Sequence, residues 1–151
     1  MRTTATLDAP CTPEVLFAHV VSLDRYPAWM GLVHRVGPSP MASADDPAWD
    51  VELRARVGPL ARSKRLRMVR AQFDPPWLAV FERHELDGRH HADWRLTARL
   101  EAVGTASSRL CMELVYGGAL WTGGVLQRIL DEEIRRGSER LLELVTASPT
   151  P

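Results

Sequence analysis

The residues able to do chemistry are few and scattered. The densest run is HELDGRHHAD, residues 84 to 93, where His84, Glu85, His90, His91 and Asp93 surround a DGR turn. Imidazole and carboxylate are the donors a transition metal takes. Adjacent strand residues point to opposite faces, however, so His90 and His91 do not easily share one ion. The run reads as a polar hairpin, and no metal site is predicted. Cys11 and Cys111 are far apart, with no CxxC or Cys/His spacing, and read as two reduced thiols. No GxSxG occurs, so nucleophilic catalysis has no sequence support, although a triad assembled only in space leaves no such trace. The stretch YGGALWTGG (116–124) lacks the GxxxxGK[ST] spacing of a phosphate loop and reads as a hinge beside Trp121. No cofactor is indicated.

Two groups merit a role of their own. Glu133 follows Leu126 by seven residues and shares the apolar side of a helix. There it could act as an acid or base with a pKa raised by desolvation, or swing to the helix edge and pair with an arginine. Tyr116 could donate a hydrogen bond to a ligand carbonyl, or serve only as a structural hydroxyl.

The elements that must position these groups follow from periodicity. TTATLDA (3–9) alternates as a first strand, and Pro10 ends it. Thr12, Pro13 and Glu14 mark a helix start, and Val15, Leu16, Ala18, Val20 and Leu23 predict an apolar helical stripe over PEVLFAHVVSL. Asp24 is expected to cap a second short helical turn, DRYPAWM, stopped at Gly31. A short strand in GLVHRVGPSP leads into the loop 37–47, and the period then switches to two. Trp49, Val51, Leu53, Ala55 and Val57 form one row, Leu66 and Met68 another, Trp94, Leu96, Ala98 and Leu100 a third, and Leu110, Met112, Leu114 and Tyr116 a fourth. The result is a meander of five or six strands after the first, each with one apolar and one charged face. The chain closes with a helix of about 20 residues, roughly 30 Å long, carrying Leu126, Ile129, Leu130, Ile134, Leu141, Leu144 and Val145 on one stripe. Gly137 inside it costs about 1 kcal/mol of helix propensity and would let the helix lie close to the sheet.

The run RARVGPLARSKRLRMVR (54–70) holds seven cations and no acid. On alternating strands it reads as a solvated outer face, with Asp50, Glu52, Asp74, Glu82 and Glu85 around it. Strict alternation nevertheless places Arg62, Lys64 and Arg70 on the face of Leu66 and Met68. Either a bulge shifts the register, or the cavity rim is cationic and suits a ligand carboxylate. The whole chain is neutral, with 19 basic and 19 acidic residues, which argues against a general nucleic-acid binder. No signal-peptide core and no apolar run near membrane-spanning length are present, so a cytoplasmic protein without stable membrane insertion is expected.

The order of strand, two short helices, antiparallel meander and long C-terminal helix, with DAPCTPEVLFAHVVSLDRYPAW at the front, resembles the START-like helix-grip (SRPBCC) superfamily. The branch it looks most like is that of polyketide cyclases/dehydrases and lipid-transport proteins. The resemblance covers residues 2 to 146 and implies an α+β helix-grip fold. A curved sheet of six to seven strands would wrap the C-terminal helix around an apolar cavity, in one domain over 1–147 with a frayed tail at 148–151. The inward rows would then supply a lining of Trp49, Leu53, Met68, Trp94, Leu96, Met112, Leu114 and Tyr116. Leu126, Ile129 and Glu133 would face it from the helix, with Trp29, Met30 and Trp121 near the mouth. The expected function is binding, carriage or presentation of a small hydrophobic ligand, aromatic ones included. The alternatives are an aromatase/cyclase-like enzyme of aldol or dehydration chemistry, and a protein-interaction module with a vestigial pocket. An exposed sheet edge would permit a homodimer.

Overall fold

The computed structural model describes residues 2–57, 59–117 and 125–147, without the side chains of residues 57 and 125–127. Seven strands form one antiparallel sheet: β1 (Arg2–Ala9), β2 (Val33–Pro38), β3 (Ala48–Val57), β4 (Leu60–Asp74), β5 (Leu78–Arg83), β6 (Trp94–Gly104) and β7 (Ser107–Tyr116). Their order is β1-β7-β6-β5-β4-β3-β2, so β2 to β7 is an unbroken meander and β1 adds to its far end. Helix α1 (Pro13–Phe17) and a 3₁₀ turn (Leu23–Ala28) connect the two edges, and helix α2 (Val125–Ala147) ends the fold.

Alternation dictates the inner face. Val51, Leu53 and Ala55 on β3 are buried and pair with Leu66, Lys64 and Arg62 on β4. Trp94, Leu96, Ala98 and Leu100 on β6 face Tyr116, Leu114, Met112 and Leu110 across β7. Register shifts at Val33/Arg35, Arg70/Gln72 and Ala102/Gly104 break the ladder locally. Each irregularity raises the local twist and so helps the sheet to curl.

Helix α1 is shorter than its apolar stripe predicts: it stops at Phe17, and Val15 is largely exposed. The next carbonyls explain this. Arg25 donates to Ala18 O (3.1 Å), Trp29 Nε1 to His19 O (3.2 Å), Tyr26 Oη to Val20 O (2.9 Å) and Arg70 to Val21 O (3.3 Å). Four acceptors that a helix would use internally are taken by side chains, one of them from β4. The second helical element is a 3₁₀ turn that begins after Ser22, whose hydroxyl bonds the Asp24 carboxylate, and ends at Trp29.

Helix α2 has the expected length, with Leu130 and Leu141 buried and Arg135 paired outside with Glu132 and Glu139. Gly137 does allow a close approach, but to the 3₁₀ turn rather than to the sheet. A Cβ at 137 would lie 3.1 Å from both Trp29 O and Met30 Cε.

The basic run is not uniformly solvated. Arg67, on the outer face, is buried: its guanidinium donates to Ser39 Oγ (2.8 Å), His84 O (2.9 Å) and Pro40 O (3.4 Å), fastening the 38–47 loop to the sheet. Among the described residues no helix is long and apolar enough to cross a membrane.

Candidate functional site

Between the concave face and α2 lies a chamber of about 120 Å³. β1 contributes Thr3, Ala5 and Leu7; β3 and β4 contribute Val51, Leu53, Leu66 and Met68. Trp94 and Leu96 of β6 and Leu110, Met112 and Leu114 of β7 complete the floor. Leu23, Tyr26, Trp29 and Met30 close one side, and Leu130, Glu133, Ile134, Ser138 and Leu141 form the roof. The wall is apolar almost throughout, the surface that holds a nonpolar molecule by its exclusion from water.

Of the residues expected to line a cavity, Trp29, Met30, Leu53, Met68, Trp94, Leu96, Met112, Leu114 and Glu133 stand in the wall. Three others do not. Trp49 has the correct parity but lies at the end of β3, buried edge-on against Phe81 with ring centroids 5.7 Å apart. Tyr116 is buried against Trp94, centroids 5.2 Å apart and tilted 31°, outside the wall. Ile129 looks into an outer groove with Arg54, Arg56, Arg128 and Arg136. Trp121 lies outside the described residues, as does the side chain of Leu126.

The wall also includes residues that the alternation did not single out. The β1 row of Thr3, Ala5 and Leu7 is too small and polar to stand out as a lining. Tyr26 and Leu23 enter through the 3₁₀ turn, whose period matches neither helix nor strand. Tyr26, its ring centroid 4.8 Å from that of Trp29 and 6.2 Å from that of Phe81, anchors an aromatic cluster beside the chamber.

The polar groups of the wall have specific fates. Tyr26 Oη and Trp29 Nε1 are spent on the carbonyls of Val20 and His19, and complete burial pushes the Tyr26 phenol far above its usual range. The Glu133 carboxylate, half-buried, lies against the backbone of Gly31. Its Oε2 is 2.8 Å, and an Arg140 nitrogen 3.2 Å, from where a Cβ at Gly31 would sit. Glu133 also borders the outer groove, so it sits where chamber and groove meet. Tyr116 titrates above the ordinary phenol value, first because of burial and then because of the charge of Asp131.

The three inward cations of β4 separate. Register with β3 is unbroken from Ala48↔Val69 to Val57↔Leu60, so Arg62, Lys64 and Met68 do share a face. Arg62 is exposed. Arg70 is committed to Val21 O and lies 4.0 Å from the centroid of Phe73. Lys64 is half-buried, its ammonium held below the usual lysine range by desolvation and then by Arg83, with Glu85 opposing. None of them lines the chamber. In the 84–93 hairpin, Arg83 bonds Glu85 (3.0 Å) and His91 Nδ1 (3.3 Å), while His91 Nε2 meets Asp87 (2.8 Å).

No protein-family model and no curated protein matches the chain. Solved structures do. A protein from Thermus thermophilus matches with a TM-score of 0.75 at 16% identity, over 99% of this chain and 100% of that one. A START superfamily protein from Mycobacterium smegmatis matches at 0.71 and 13% identity, over 97% of both chains. The Zhui aromatase/cyclase from Streptomyces sp. R1128 matches at 0.69 and 10% identity, over 97% of this chain and 93% of that one. At such identities the likeness is one of fold, and it agrees with the strand order, the curled sheet and the terminal helix described above. The chain has the START-like helix-grip fold.

Proposed function

We propose that the protein binds a small hydrophobic molecule in the chamber beneath α2 and carries or presents it. The observation that carries this reading is the chamber itself: about 120 Å³ with an almost wholly apolar wall contributed by the sheet, the 3₁₀ turn region and α2. That volume is close to the roughly 150 Å³ of an engineered apolar cavity that takes up benzene. Molecules of one or two rings, or short chains, are therefore the first candidates; larger ones need α2 to move outward.

A second reading, an aromatase/cyclase-like enzyme, rests on Glu133, a carboxylate in the wall. Tyr116, the other proton donor considered for it, sits behind Trp94, so this chemistry would fall to Glu133.

The test is titration of intrinsic tryptophan fluorescence with a panel of small aromatic compounds, quinones, fatty acids and sterols, Trp29 and Trp94 being the reporters in the wall. Saturable binding by one class is expected. Ala5→Leu, which places three more carbons inside the chamber, should abolish it while circular dichroism stays unchanged. A panel without any saturable response, or binding indifferent to Ala5→Leu, overturns the proposal. If a binder is also converted, with turnover lost and binding kept in Glu133→Gln, the enzymatic reading replaces the carrier.

A further inference from the structure

The groove outside the chamber is the larger concavity, about 470 Å³, and the two share Glu133. Arginines from two elements line it: Arg54 and Arg56 of β3, and Arg128 and Arg136 of α2. The groove exists because β2 is short. Register begins at Val33↔Leu53, and the Arg54 N–H bonds Leu32 O at 2.9 Å. β3 then runs on to Val57 with no neighbour on that side among the described strands.

The charges in this groove do not balance. Glu132 is already met twice, by Arg136 at 3.0 Å and by Arg135 at 2.7 Å. The Glu133 carboxylate and an Arg140 nitrogen both lie against Gly31. The Arg54, Arg56 and Arg128 side chains are exposed and make no ion pair or hydrogen bond among the described residues. On a convex face, solvated arginines carry no such meaning. These three border a concave space that abuts an apolar chamber, where their positive potential is focused. The planar guanidinium fork suits the paired oxygens of a carboxylate.

We propose that the ligand is an amphipathic anion, its apolar part in the chamber and its carboxylate in the groove among Arg54, Arg56 and Arg128. This rests on the chamber being a binding site and names the class of its occupant. The junction sets the orientation. Glu133 is the carboxylate in the chamber wall, so a second negative charge inside is repelled, and it would also lose its hydration. In the groove the head group keeps contact with water and meets cations. The chamber volume limits the apolar part to a ring or a short chain.

The test compares 4-phenylbutanoate with 4-phenylbutanamide, which match in shape and differ in the charge of the head. Affinities are measured calorimetrically at neutral pH, and their ratio cancels what the shared apolar part contributes. The carboxylate should bind the wild type about fivefold more tightly at low salt, the worth of two or three exposed ion pairs. The ratio should fall to about one in Arg54→Gln/Arg56→Gln/Arg128→Gln, and likewise for the wild type in about 0.5 M salt, which screens exposed charges. The salt arm needs no variant and decides alone should the triple variant not fold.

A wild-type ratio near unity, or a preference that survives both the variant and salt, overturns the anion site and leaves the chamber intact. Ala5→Leu separates the two halves, and neither probe should bind it. A carboxylate that still binds Ala5→Leu rests in the groove alone, as acetate would, and overturns joint occupancy. Failure of both probes to bind the wild type removes the binding site itself, and this proposal with it.

Discussion

Replacing Gly137 by alanine tests how α2 is seated. On an isolated helix the change is favourable by about 1 kcal/mol, because glycine pays more backbone entropy than alanine. Here the added methyl would lie 3.1 Å from Trp29 O and 3.1 Å from Met30 Cε. Methionine can rotate away. The carbonyl cannot, because Trp29 is 2% exposed, its backbone N–H bonds Tyr26 O at 3.0 Å, and its indole bonds His19 O at 3.2 Å. The helix must therefore back off by a few tenths of an ångström along its contact with the 3₁₀ turn. Overpacking of this kind costs about 1–3 kcal/mol, which exceeds the propensity gain. The expected net loss is about 1 kcal/mol, a fall in Tm of about 2–4 °C for a chain of this size. Urea denaturation of the wild type, Gly137→Ala and Gly137→Ala/Met30→Ala measures it. Because the backbone oxygen is the obstacle, trimming Met30 should not restore stability. A Tm that rises by about 2–4 °C, the full propensity gain, would refute the close seating of α2 on Trp29.

Other outcomes are equally definite. Arg67→Met keeps the apolar stem but takes the guanidinium donor from Ser39 Oγ and His84 O; stability should fall by about 2 kcal/mol, and limited proteolysis should cut the 38–47 loop faster. His19 is held below its ordinary value near 6.5, by desolvation first and by Arg25 second. The unfolded chain therefore takes up the proton first. The stability carried by the neutral ring is present above about pH 6.5 and is lost as the pH falls toward the folded-state value. The drop in urea midpoint between pH 7.5 and 5.5 should accordingly be smaller in His19→Gln than in the wild type. A bound apolar ligand at about one hundred times its Kd should stabilise the protein by about 2.7 kcal/mol, readable as a thermal shift that Ala5→Leu eliminates.

What the sequence made legible follows from how far each determinant reaches. The meander was readable because parity within a strand is local: Leu53, Leu66, Trp94 and Met112 face inward for reasons contained in a few neighbouring residues. The end of α1 was not readable, since it depends on Arg70 reaching back 49 positions to Val21 O. Trp49 shows the limit of parity, which assigns a face but not a depth; only the placement of Phe81 decides that Trp49 is core. Arg67 shows the same limit in reverse, an outward side chain covered by a loop.

The sheet order has a consequence for how the chain acquires its shape. β2 to β7 join through successive hairpins, each pairing nearby residues, whereas β1 has β7 as its only neighbour among the described strands, with Thr6 facing Cys111 across 105 positions. Local hairpins form quickly, and long loop closures are slow. During synthesis from the N-terminus, β1 is made first but has nothing to pair with until β7 has emerged. The strand of this sheet that is made before the others is thus the one that docks late, and it does so at the edge where Ala5 and Leu7 complete the chamber floor. The chamber floor and the native strand order are finished in the same event, and α2, made after β7, then roofs the chamber; a chain arrested before β7 would have a partial sheet and no enclosure.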